Sequence, residues 1–179
     1  GCEFNIFKGV MHVSRQTQSA PAASQLWHND GGPGVCINTL FYLNDATADN
    51  GAIEVLPWRY SKKLLTERRS VVRKHLKSIG KTSHDIDRIQ LRDISVDYFL
   101  QQISQRYEEK KVRPIGPQGT TVMFMNNAIH RGGFPEVGQE RFVCIFHCYP
   151  AGRPANFEQY RRAGISVNKP YPRQLDTEL

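Results

Sequence analysis

Two kinds of periodicity divide this chain. "FNIFKGVMHVSR" (Phe4–Arg15) mixes bulky apolar and polar residues without helical spacing and predicts a strand or two. "TQSAPAASQ" (17–25) is a loop by composition. "VCINTLFYL" (35–43), rich in β-branched and aromatic residues, predicts the clearest strand, and "AIEVLP" a second one stopped by Pro57. Residues 61–111 change period. "SKKLLTERRSVVRKHLKSIG" predicts a helix ending at a glycine C-cap, Gly80, and "DISVDYFLQQISQRYEEKK" is amphipathic. Strands then resume in "KVRPIG", "GTTVMFM" and "RFVCIFHCY". Strands, one helical insertion, then strands again is not a βαβ alternation; the Gly/Pro-rich turns predict a mainly β sandwich or barrel with a helical insertion.

Composition narrows the class. A length of 179 residues favours one domain, here 1–179 with a variable insertion at about 58–112, and 39% hydrophobic content is that of a globular protein. The start at Gly1 suggests that an upstream segment is missing from this numbering. No apolar run approaches the roughly 20 residues that span a bilayer. Cys2, Cys36, Cys144 and Cys148 form no C-x-x-C pair, so buried thiols in a reducing, cytoplasmic setting are expected; a zinc site from Cys144, His147 and Cys148 lacks a second cluster. The net charge of +7 is concentrated: Lys62, Lys63, Arg68, Arg69, Arg73, Lys74, Lys77 and Lys81 face only Glu67. Such a run is either a solvated helix face or a surface for an anionic partner.

The chemistry is in "WHNDGG". In extended chain, residues i and i+2 share a face, so His28 and Asp30 can aim an imidazole and a carboxylate at one point with Asn29 turned away. A divalent metal needs a third ligand, and His130 in "GTTVMFMNNAIHRGG" is the candidate, at the end of an apolar strand before a Gly-Gly break. Eleven residues on (141 − 130), Arg141 heads "RFVCIFHCY". It is either salt-bridged to Glu140 or Glu136, or held to grip a ligand carboxylate. Two histidines and one carboxylate suit non-haem Fe(II), though zinc hydrolases use the same set.

"WHNDGG", "FYLNDATADNGAIEVLP" and "GTTVMFMNNAIHRGG…ERFVCIFH" resemble the phytanoyl-CoA dioxygenase family of Fe(II)/2-oxoglutarate oxygenases, over roughly residues 7–149. The resemblance implies a double-stranded β-helix, a jelly-roll or cupin-like barrel. It implies iron on His28, Asp30 and His130, and Arg141 on the distal carboxylate of 2-oxoglutarate. Where the family often has Ser two residues after the distal His, this chain has Gly132. The family's Pro-Gly-Ser-His reads Pro57-Trp58-Arg59-Tyr60 here.

The strand at 35–43 fits that picture. Val35, Ile37, Thr39, Phe41 and Leu43 form an apolar face suited to sheet packing. Cys36, Asn38, Leu40 and Tyr42 form the face assigned to a cavity, with Asn38 a candidate 2-oxoglutarate contact unless backbone satisfies it. His147 shares parity with Arg141 and is expected at the core or rim; His12, His75 and His84 are expected at the surface. The function expected is hydroxylation of a small, anionic or phosphate-bearing substrate using O₂, with release of succinate and CO₂. The alternatives are a non-enzymatic jelly-roll module binding nucleic acid or acidic membrane, and a cupin-like metal enzyme of other chemistry.

Overall fold

The computed structural model describes residues 4–17, 19–21, 23–30, 36–78, 80 and 105–150. Within them the fold is mainly β, with antiparallel sheets and one long helix. In chain order come β1 (Phe4–Arg15), β2 (Ile37–Tyr42), β3 (Glu54–Val55), α1 (Trp58–Ser78), β4 (Thr121–Met125), β5 (His130–Arg131) and β6 (Glu140–Pro150). Four strands form one sheet in the order β1-β6-β2-β4, and β3 pairs β5 in a second. The expected amphipathic segment at 93–111 and His84 lie mostly or wholly outside the described residues.

Alternation along β2 decides which way the large sheet faces. Asn38, Leu40 and Tyr42 are buried, whereas Ile37, Thr39 and Phe41 are half-buried and Leu43 is exposed. The more apolar face is therefore the outer one, contrary to the packing role expected of it. The polar-bearing face points inward. Leu40, Tyr42, Val122 and Val143 of the large sheet pack on Ala52 and Ile53, with Val55 of β3 alongside. On the far side of the small sheet, Leu56 and Ile129 pack with Trp27 and with Leu64 of α1. The order of layers is large sheet, small sheet, helix.

Three sequence expectations shift. "KVRPIG" forms no strand; Val112 bridges Val55 and Gly116 bridges Ala46 as isolated pairs. Pro114 lacks an N–H for a ladder, and its carbonyl accepts the Tyr42 hydroxyl at 2.8 Å instead. The strand expected at 52–57 contracts to Glu54–Val55. The helix starts three residues early, at Trp58, with Tyr60 and Ser61 N–H groups on the Pro57 carbonyl. Its expected end holds: Gly80 has φ +73°, the left-handed conformation of a C-cap glycine.

The Asn50–Gly51 turn is where the two halves of the chain meet. Gly51 has φ +79°, and a Cβ there would sit 2.6 Å from the Gly133 carbonyl oxygen. Gly51→Ala therefore incurs both a backbone penalty of about 1 kcal/mol and a steric clash with rigid backbone. A loss of roughly 2 kcal/mol or more is expected in denaturant melts, against a few tenths for Gly119→Asn, whose surroundings are open.

Candidate metal centre

A single backbone bridge brings the two candidate ligands His28 and His130 together. His28 N–H donates to the His130 carbonyl at 2.9 Å and His130 N–H to the His28 carbonyl at 2.8 Å, which places the two rings with centroids 4.4 Å apart. Two residues on, Asp30 N–H donates to the Asn126 carbonyl at 2.9 Å. Asn126 is buried and its side-chain oxygen also accepts the Cys36 N–H at 3.1 Å. One asparagine thus fixes both ends of the segment between Asp30 and β2.

The ligand atoms point the right way. Nδ1 of His28 lies 2.7 Å from the Leu26 carbonyl and Nδ1 of His130 lies 2.9 Å from the Ala128 carbonyl. A carbonyl only accepts, so each Nδ1 carries a proton and each Nε2 is the ring nitrogen that can take a metal. Those Nε2 atoms lie 3.8 and 3.5 Å from the two Asp30 carboxylate oxygens. One ligand atom from each of His28, Asp30 and His130 fits within 4.8 Å of the others, and the cluster can hold a metal ion. Burial opposes ionisation of Asp30, but His130, His28 and the Asn38 amide outweigh it and hold the carboxyl well below its usual range. The carboxylate is available as a ligand at any ordinary pH.

The walls are neutral. Phe124 lies against His130 at 4.7 Å between centroids. Burial, reinforced by Asp30 and Cys148, pushes the Cys36 thiol up to about 12, so it is no thiolate ligand. Cys144 and His147 fall on opposite faces of β6, which separates the set considered for zinc.

Asn38 is buried and satisfied by side chains rather than backbone. Its Nδ2 donates to Asp30 Oδ2 at 2.6 Å, and its Oδ1 lies 2.7 Å from His147 Nδ1. His147 is therefore an inward, half-buried residue joined to the site, as its parity with Arg141 suggested.

Arg141 is the outlier. It is 4% exposed, yet no carboxylate meets it among the described residues. Glu140 turns to Arg15 at 3.2 Å, and Glu136 is exposed. Arg141 Nη2 donates to Ser14 Oγ at 2.9 Å, while Nε and Nη1 are buried with no hydrogen-bond partner among the described residues. Burial lowers its pKa against the opposing pull of the Tyr42 hydroxyl beside it. Nη2 also lies 3.4 Å from where a Cβ on Gly132 would stand, two residues from the His130 ligand. The guanidinium is buried, half-satisfied and next to the strand that carries His130.

No family model matches the chain, and no curated protein matches it. Solved structures do resemble it: EvdMO1 at 15% identity and TM-score 0.49, and AviO1 from Streptomyces viridochromogenes Tue57 at 14% identity and TM-score 0.49. Each match covers 84% of this chain, which spans 28% of the first structure and 53% of the second.

Behind the cluster lies a charged clamp with no local signature in the sequence. Glu54, 1% exposed, receives Arg131 Nε at 2.5 Å and Arg113 Nε at 2.9 Å. Arg131 in turn stacks on the Trp27 ring at 4.2 Å. Trp27 precedes His28 and Arg131 follows His130, so the clamp ties the two ligand segments from the side away from the metal. Burial raises the Glu54 pKa, but Arg113 and Arg131 more than offset it and the net shift is downward. A folded-state pKa below the unfolded value adds stability that is present above about pH 4.5 and is lost as pH falls through the folded value. Glu54→Gln should remove that acid-limb slope and destabilise the fold by about 3 kcal/mol at neutral pH, read from urea melts.

The cationic run divides in two. Arg59, Lys62, Lys63, Arg73, Lys74 and Lys77 are exposed, one face of α1 over a length of about 27 Å. Ser61, Leu64 and Arg68 are buried on the other face. Ser61 Oγ accepts the Ile129 N–H at 2.9 Å, and Arg68 Nη1 donates to Asn29 Oδ1 at 3.0 Å, between the two ligands of the H-x-D pair. Among the described residues, most of the basic cluster therefore points away from the candidate metal site, and Arg68 reaches it; the side chain of Arg69 and all of Lys81 lie outside the described residues. Among the described residues no helix is long and apolar enough to cross a membrane.

Proposed function

We propose that the chain is a single-domain Fe(II)- and 2-oxoglutarate-dependent oxygenase of jelly-roll, double-stranded β-helix type, hydroxylating a C–H of a small substrate. Iron with its cosubstrate would supply the oxidising chemistry: R–H, O₂ and 2-oxoglutarate give R–OH, succinate and CO₂. The chain's own residues bind and orient. His28, His130 and Asp30 would hold the metal on one face and leave the other face open. Arg141, with Ser14 Oγ beside it, would pair with the far carboxylate of 2-oxoglutarate and satisfy the nitrogens that lack partners. Phe124 would pack beside the metal through its contact with the His130 ring.

The observation that carries this reading is the buried Arg141 without a carboxylate. A buried uncompensated charge is costly, and an anion supplied by a ligand removes the cost. A zinc hydrolase on the same three ligands would need it only for a carboxylate-bearing substrate. The test is succinate formation from 2-oxoglutarate in air, with Fe(II) added and no other substrate. Slow, iron-dependent succinate release is expected. Iron binding without succinate above the iron-free control would contradict it. The exposed cationic face of α1 favours the second reading, docking on nucleic acid or acidic membrane; that reading predicts steeply salt-dependent association and indifference to iron.

A further inference from the structure

We infer that Asn38 and His147 act together as positioning residues that make Asp30 a one-oxygen metal ligand. The inference rests on the metal-centre reading above and goes beyond it. The argument is one of donors and acceptors. The Asn38 amide Nδ2 donates to Asp30 Oδ2 at 2.6 Å. That orientation turns Asn38 Oδ1, only an acceptor, towards His147 Nδ1 at 2.7 Å. Nδ1 of His147 must therefore carry a proton. Were the imidazole proton on Nε2 alone, two lone pairs would face each other across 2.7 Å and the amide would favour flipping. The flipped amide would set its oxygen against the carboxylate. His147 thus locks the amide, and the amide occupies Oδ2.

The register of the sheet makes this geometry. Asn38 on β2 stands opposite His147 on β6. Asn38 is buried at 1% exposure in the layer between the sheets, where a lost hydrogen bond is not replaced by water. With Oδ2 engaged, Asp30 offers a metal Oδ1 alone. A chelating carboxylate would use a second coordination position. Two histidines and a one-oxygen carboxylate leave three positions of an octahedral ion open, room for a two-point ligand and one further small molecule. Freed from Asn38, the carboxylate would close one of them.

The test uses Mn(II) as the probe, in the wild-type protein and in Asn38→Leu, His147→Phe and His147→Gln. Water-proton relaxation counts metal-bound waters, and titration gives the Mn(II) Kd. Three bound waters are expected in wild type and two in Asn38→Leu and His147→Phe, with Kd weakened about 10- to 100-fold. His147→Gln, whose side-chain amide can donate to Asn38 Oδ1, should restore the third water. An unchanged water count with Kd within twofold in both disruptive variants would overturn the inference while leaving the metal centre standing. Failure of the wild type to bind Mn(II) would overturn both. Should the variants not fold, nitrogen NMR of the wild-type apo-protein decides: a proton on His147 Nδ1 is expected, and a neutral ring protonated only at Nε2 would refute it.

Discussion

Arg141→Met should leave metal binding unchanged, abolish the response to 2-oxoglutarate, and yield a protein that melts higher than wild type. The three effects have one cause. The guanidinium is buried with two nitrogens unsatisfied, and taking a charge out of water without a partner costs several kcal/mol. Methionine fills comparable length without the charge, so the ligand-free fold should gain about 2 kcal/mol even though Ser14 Oγ loses one charge-assisted hydrogen bond. The same change removes the bidentate partner of the far carboxylate. Losing one side of a desolvated charge pair typically costs about 3 kcal/mol, a weakening of 2-oxoglutarate binding of roughly 100-fold or more. Isothermal titration of the Mn(II)-loaded variant measures the second effect and differential scanning calorimetry the first. A variant less stable than wild type that still binds 2-oxoglutarate normally would remove the reason for assigning Arg141 to a ligand.

His130→Ala separates site from scaffold. The His28–His130 bridge is made by backbone groups and survives the substitution; what goes is one Nε2 and the ring contacts with His28 and Phe124. Metal affinity should fall by well over the roughly 100-fold that loss of a group merely supporting a ligand produces. Activity should fall to the metal-free background, while circular dichroism stays that of the wild type. His12→Ala, an exposed position on β1, is the control and should bind metal normally.

Part of this site was legible in the sequence because its signals are local. Parity in an extended segment puts His28 and Asp30 on one face. The apolar strand and Gly-Gly break around His130, and the arginine heading an apolar strand, each mark a residue out of keeping with its neighbours. What the sequence hid is decided by register between distant strands. Asn38 reads as a polar residue facing a cavity, but its engagement with Asp30 and His147 depends on β2 lying opposite β6. The Glu54 clamp draws on positions 27, 54, 113 and 131, which share no spacing rule. Arg68 sits in a run of basic residues and differs from them only in facing Asn29 rather than solvent. The expected strand at "KVRPIG" failed for a local reason, since Pro114 interrupts the ladder, and that was readable.

Three ligands would hold one ferrous ion while the Arg141 guanidinium grips the far carboxylate of 2-oxoglutarate. Anaerobic titration of the apo-protein with Fe(II) and then 2-oxoglutarate tests this most directly. A weak visible charge-transfer band should appear only with both present and be absent in His130→Ala. No band in the wild-type protein, or a band that persists in His130→Ala, would contradict it.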